Sequence, residues 1–136
     1  MEFKEVKDSG KRQEFPTGSL RDTQDGKARY DLIPIIPLER LAKHYANGAK
    51  KYGEHNWTKG QPLSRYLASC ERHLNAIKEG KDDEDHVSAA VFNLFAFLYT
   101  LEMCYAEVLP KELNDMEESW ERMRKYRGYH QKKETK

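Results

Sequence analysis

The chain has only two cysteines in 136 residues, Cys70 and Cys104, and they form no Cys-x-x-Cys pair. A disulfide framework and a cysteine-based zinc site are not expected. Both thiols fall at apolar positions of predicted helices and read as buried, reduced residues. Net charge is also lacking, since 24 basic against 23 acidic side chains leave +1. That balance gives no global attraction to a nucleic acid polymer or to a membrane. There is no Gly-x-x-x-x-Gly-Lys-Ser/Thr, no Gly-x-Gly-x-x-Gly and no nucleophile elbow, which argues against P-loop, dinucleotide-binding and α/β-hydrolase chemistry. No Ser-His-Asp constellation stands out. The opening MEFKEVKDSGKRQEF holds no apolar h-region, so no signal peptide and a cytoplasmic location are expected. No internal repeat and no convincing strand is visible. The apolar run at 87–99 is short for a bilayer span and reads as a core helix.

That run is the most informative stretch present. Four acids, Asp82-Asp83-Glu84-Asp85, lead through His86 into Val87-Ser88-Ala89-Ala90-Val91-Phe92-Asn93-Leu94-Phe95-Ala96-Phe97-Leu98-Tyr99. A helix apolar on every face is expected to be buried. The acids suit its N-terminus, with Asp82 or Asp83 as N-cap and Glu84 and Asp85 in the first turn. The same acids suit a hard cation held together with phosphate oxygens. His86 and Asn93 lie seven residues apart, on one helix face. An amide buried without partners costs about 1–3 kcal/mol, so Asn93 needs a backbone group, Arg72, His73 or a ligand.

The rest of the pattern predicts an all-α, compact bundle of about four helices with an extended N-terminal arm. It reads as one domain: an arm over 1–27, a helical core over 28–127 and a flexible basic tail over 128–136. The arm is polar, with Gly10, Pro16, Gly18 and Gly26. Its Arg12, Arg21, Lys27 and Arg29 suit either a surface-draped segment or a loop offering cations to phosphates. A first helix starts at Pro37 and ends near Tyr52, with Gly53 after it. Lys50 and Lys51 in its last turn either complement the helix dipole or bind phosphate. Trp57 reads as a core anchor or a base-stacking residue. A second helix runs from Leu63 to about Glu79, helped by Ser64 as a cap, with Leu63, Leu67, Cys70, Leu74 and Ile77 as its core stripe. Arg65 and Arg72 share another face, with His73 and Glu71 flanking the stripe. The third helix spans about Asp83 to Glu107. A fourth spans Lys111 to Tyr126, stopped by Gly128, and packs on the core or builds a homo-oligomer. The order Arg72-His73 and Asp85-His86 is the reverse of the adjacent His-Asp of an HD-type phosphohydrolase.

Four blocks, FPTGSLRDTQDGKARYDLIP, LERLAKHYANGAKKYGEHNWTKG, PLSRYLASCERHLNAI and DEDHVSAAVFNLFAFLYTLEM, resemble the phage-associated dATP/dGTP diphosphohydrolase N-terminal domain family over roughly residues 15 to 115. The resemblance implies an all-α fold related to the MazG-like nucleotide pyrophosphohydrolases. It also implies hydrolysis of a purine deoxynucleoside triphosphate to the monophosphate and pyrophosphate, with Mg²⁺ (or Mn²⁺) as cofactor. Matching positions are Gly18, Arg21, Asp22, Gly26, Lys27, Arg29 and Asp31 in the arm. Gly48, Lys50, Lys51, Tyr52, Gly53, Asn56 and Trp57 match around the first helix, and Arg65, Arg72, His73, Asp85, His86 and Asn93 match in the next two. The chain departs from the MazG pattern, because the Glu-x-x-Glu and Glu-x-x-Asp carboxylates are absent; Glu71 to Leu74 and Ala90 to Asn93 stand where they are sought.

The resulting expectation assigns phosphate and nucleotide binding to Arg21, Lys27, Arg29, Lys50, Lys51, Asn56, Trp57, Arg65 and Arg72. Metal binding falls to Glu71, Asp82 and Asp85, and catalysis to His73, His86 and Asn93. The partner is a purine nucleotide, with no nucleic acid polymer and no membrane, and the chain is expected as a homo-oligomer, a dimer or tetramer. The missing carboxylate quartet keeps open a non-catalytic protein that sequesters a nucleotide or a nucleotide-derived signal.

Overall fold

Small side chains set the distance between the two central helices. Ala89, Ala90 and Ala96 are buried on one and Cys70 and Ala76 on the other, so the two backbones lie close together. In this computed structural model, which describes residues 5–134, the chain forms two compact units, one up to Pro34 and one from Ile35. The fold is mostly α, as the pattern predicts.

The first unit contains a short hairpin that the sequence did not announce. Strands β1 (Arg12–Glu14) and β2 (Leu20–Asp22) pair antiparallel, with Arg12 opposite Asp22 and Glu14 opposite Leu20. Three-residue strands with no apolar alternation carry no period to read. The turn instead supplies the order: Gly18 sits at φ +83° and donates to the Phe15 carbonyl, a conformation glycine adopts without steric cost. Residues 1–4 of the expected arm lie outside the described residues.

The second unit is built from α1 (Ile35–Tyr52), α2 (Leu63–Lys78), α3 (His86–Tyr105) and α4 (Glu117–Glu134). Helix α1 starts two residues before Pro37, its expected start. A proline in the first turn removes only an N–H that has no helical acceptor, so it does not stop the helix from beginning earlier. Gly53 closes α1 as expected, at φ +90° and donating to Ala49.

Helix α2 is capped from far away. The Asp115 carboxylate accepts the Ser64 N–H at 3.0 Å and also bonds the Ser64 hydroxyl. Ser64 thus receives a tertiary cap instead of supplying one. Residues 114–116 consequently break the helix expected from Lys111, leaving a 3₁₀ turn at Lys111–Leu113 and α4 from Glu117. Helix α4 then passes through Gly128 to Glu134, over part of the expected flexible tail. Glycine costs a helix about 1 kcal/mol relative to alanine but does not stop it.

Leu63, Tyr66 and Ala96 form the innermost core, with Phe97, Leu101, Met116 and Trp120 packed around them. The buried line on α2 therefore runs Leu63, Tyr66, Cys70; Leu74 and Ile77 of the expected stripe are exposed. Helix α3 is not buried all round either. Val87, Leu94, Phe95 and Leu98 remain about half exposed (48–58%) in the single chain. By length and composition α3 is apolar enough to cross a membrane, yet it buries His86, Ser88, Asn93 and Thr100 against its neighbours. Both cysteines are free and buried.

Candidate functional site

Three helix faces and one turn enclose a cleft of about 800 Å³. Helix α1 contributes Arg40, Lys43, His44, Asn47 and Lys51, which recur at helical spacing (40, 43/44, 47, 51) and so share one face. Arg65, Ser69, Arg72 and His73 do the same on α2, and Asp85, Ala89, Phe92 and Asn93 at the start of α3. Asn56 and Trp57 close one end from a 3₁₀ turn. His55, before that turn, is held in the left-handed region at φ +60°, which is uncommon outside glycine.

The cleft is strongly cationic. Arg40, Lys43, Lys51, Arg65 and Arg72 face Glu84 and Asp85 alone among the lining acids. Among the described residues, no carboxylate is ion-paired with Lys51, Arg65 or Arg72. Five cations converging on a concave surface concentrate positive potential and draw in anions. The volume lies within the usual ~300–1,000 Å³ range for small-molecule sites.

Trp57 forms part of the cleft wall through an aromatic cluster. It meets Tyr99 edge-on at 4.9 Å between centroids and Tyr45 at 6.3 Å, and Tyr45 meets Phe92 at 5.0 Å. These perpendicular contacts are the favoured aromatic geometry. Trp57 is thus both an anchor of the wall and part of the lining.

Asp85 joins α1 to α3. Its Oδ1 accepts from Arg40 Nη2 at 2.9 Å and the Ser88 N–H at 3.0 Å; its Oδ2 accepts from Arg40 Nε at 2.6 Å and the Ser88 hydroxyl at 2.7 Å. It is the N-cap of α3, a place expected for Asp82 or Asp83. The Arg40 guanidinium, helped by Ser88, holds this carboxyl far below the usual range. An ionised carboxylate has about four lone-pair positions, and all four are engaged here, which leaves none for a metal.

The two histidines meet behind this cap. Nδ1 of His73 and Nδ1 of His86 are 2.9 Å apart, and the Glu84 Oε1 lies 3.2 Å from the first and 3.5 Å from the second. Nε2 of His86 is 2.8 Å from the Asp83 carboxylate. His86 is buried and His73 nearly so. Burial, partly offset by Glu84, lowers the His73 pKa, so its neutral form prevails at pH 7. Asn93 is buried and donates to the Ala89 carbonyl at 2.8 Å, so the backbone satisfies its amide donor.

The expected site residues therefore divide. Lys51, Asn56, Trp57, Arg65, Arg72, His73, Asp85 and Asn93 line the cleft. Asp82 and His86 line a smaller recess that shares Arg40, Glu84 and Asp85 with the cleft. Lys50 and Glu71 are exposed and line neither. Within the first unit, Lys27 pairs with Asp22 at 3.2 Å and Arg29 with Asp31, while Arg21 lies on β2 opposite Gln13. The sequence reading passed over Arg40 and Lys43, and it weighed Glu84 only as one of the four acids without assigning it a ligand role. For the first two the signal was present, since 40, 43/44, 47/48 and 51 repeat at helical spacing along α1.

A family model described as "dATP/dGTP diphosphohydrolase, N-terminal" matches residues 17–111. No curated protein and no solved structure matches the chain.

Proposed function

Because the chain belongs to the dATP/dGTP diphosphohydrolase N-terminal family, we propose that it hydrolyses a purine deoxynucleoside triphosphate to the monophosphate and pyrophosphate in the cleft between α1, α2 and α3. The family's description is one of nucleotide hydrolysis. The observation that carries the finer reading is the convergence of five cationic side chains from two helices on one cleft, with an aromatic wall at its end. A triphosphate carries several negative charges. Phosphoryl transfer asks chiefly for its positioning and for neutralisation of that charge.

The division of labour follows from the lining. Arg65 and Arg72 present planar forks suited to phosphate oxygens, and Lys43 and Lys51 add point charges. Asn56 and Trp57 meet the base end, where the indole supplies a flat apolar surface. Water attacks the α-phosphorus, the bond to the bridging oxygen breaks and pyrophosphate departs. His73 lines the cleft beside the acidic mouth and is placed to position the attacking water, whose proton leaves to solvent.

The expected Mg²⁺ ligands do not make a site. Glu71 lies outside the cleft, Asp82 faces the smaller recess, and Asp85 has its lone pairs engaged by Arg40 and Ser88. Any Mg²⁺ that travels with the triphosphate belongs to the substrate.

The test is to incubate the protein with each dNTP in the presence of Mg²⁺ or Mn²⁺ and measure pyrophosphate. Release from dATP or dGTP, and not from the pyrimidine nucleotides, is the expected result. Tight binding without product favours the second reading, a nucleotide-sequestering protein, for which the missing Glu-x-x-Glu and Glu-x-x-Asp speak. Absence of both binding and product overturns both.

A further inference from the structure

We propose that Nδ1 of His73, Nδ1 of His86 and Oε1 of Glu84 bind a divalent first-row transition metal ion as a three-ligand site. The inference stands on donor geometry and does not depend on the nucleotide reading.

The three atoms form a triangle with sides of 2.9, 3.2 and 3.5 Å. An ion bonded at roughly 2.0–2.1 Å to each of three ligands separates them by about 3.0 Å in octahedral geometry and about 3.4 Å in tetrahedral geometry. The observed edges bracket those values. Two imidazoles and one carboxylate on one face are also the donor set of known three-ligand iron sites, which keep positions open for water or substrate.

Proton bookkeeping supports the same assignment. A carboxylate only accepts, so the 2.8 Å contact to Asp83 makes Nε2 of His86 the protonated nitrogen. In the neutral ring Nδ1 of His86 then carries a lone pair, directed at His73. Without a cation, a single proton on Nδ1 of His73 faces two acceptors, His86 and Glu84. A divalent ion in place of that proton satisfies all three donor atoms at once. Asp83 then plays the part of the carboxylate that orients a metal-binding histidine through its other nitrogen. The nitrogen donors select against Mg²⁺, which prefers oxygen, and in favour of Mn²⁺, Fe²⁺, Co²⁺, Ni²⁺ or Zn²⁺. The site lies at the border of the cationic cleft, since His73 and Glu84 line it.

The test uses untagged, chelator-stripped protein without nucleotide, titrated with Co²⁺ and followed by its visible absorption and by calorimetry. One equivalent is expected to bind with the absorption of a nitrogen-ligated ion, and equimolar Mg²⁺ is not expected to displace it. Glu84→Gln, which alters an exposed side chain and leaves the buried rings in place, should weaken binding at least tenfold. Asp83→Asn should weaken it by about 10–100-fold. Far-UV circular dichroism of both variants confirms that they remain folded. The proposal is overturned if Co²⁺ binds the wild type no more tightly than a His73→Gln/Glu84→Gln variant, or if Mg²⁺ competes equally. Nucleotide turnover is not read, so a failure here and a failure of the hydrolase reading are separate results.

Discussion

Replacing Asp85 by alanine removes the N-cap of α3 and the carboxylate that bonds Arg40 of α1. Loss of an aspartate cap costs about 1 kcal/mol, with a range of about 0.5–2. The Arg40 bonds add little at moderate salt, because the guanidinium side chain is 62% exposed and its attraction is screened. For a chain of this size, about 1 kcal/mol corresponds to a melting temperature lower by about 3–5 °C. The pH dependence has a definite sign. The folded-state pKa of Asp85 is depressed by the Arg40 bonds, whereas an aspartate in the unfolded chain titrates near ~3.9. The stabilisation is therefore fully present above pH ~4 and is lost as pH falls through the folded value. Urea unfolding at pH 7, 5, 4 and 3, read by far-UV circular dichroism, should give a constant gap between wild type and variant at the two higher values and a narrowing gap below them. Asp85→Asn should also leave Co²⁺ binding at wild-type strength, because the carboxylate has no lone pair to give. A gap as wide at pH 3 as at pH 7, no cost at pH 7, or lost Co²⁺ binding in Asp85→Asn would refute the assignment of Asp85 as an anchor.

Three further outcomes follow from other parts of the molecule. Gly60 sits at φ +74°, and a Cβ there would lie 2.8 Å from Leu113 Cδ1 and 2.9 Å from Leu109 Cδ1; Gly60→Ala should therefore cost about 1–3 kcal/mol in chemical unfolding, and a neutral result would mean that those leucines move freely. Arg72→Ala should weaken dATP or dGTP binding by roughly tenfold to a hundredfold, the worth of a charged hydrogen bond, with the wild-type melting temperature nearly kept; unchanged affinity in calorimetry removes Arg72 from the phosphate contacts. If a second copy covers the half-exposed face of α3 around Leu94, Phe95 and Leu98, light scattering should give a dimer or tetramer for the wild type and a smaller species for Leu98→Glu. A monomeric wild type at micromolar concentration ends that reading.

The expected metal ligands show most clearly where the sequence reading stopped. The acidic run was visible, and so was its place before an apolar helix. Which acid caps the helix, which orients a histidine and which points at both imidazoles depends on side chains from α1 and α2. Arg40 lies 45 residues from Asp85, and His73 lies 13 residues before His86. The α2 stripe failed for a related reason. Leu74 and Ile77 fit the helical period as well as Leu63 does, but in the second half of α2 the face turned to α3 runs through His73 and Ala76 instead.

By itself, the sequence determined the all-α class, the approximate extents of α1, α2 and α3, and the cationic and histidine residues that deserve attention. Period and capping chemistry act within a few turns, so they can be read locally. Tertiary structure alone decided three things: that Asp115 caps α2, that Arg40 takes up the lone pairs of Asp85, and that Glu84 meets His73 and His86. Each is a contact between segments distant in the chain or between side chains from different helices. Its geometry is set by how α1, α2 and α3 pack, and no one-dimensional pattern encodes that.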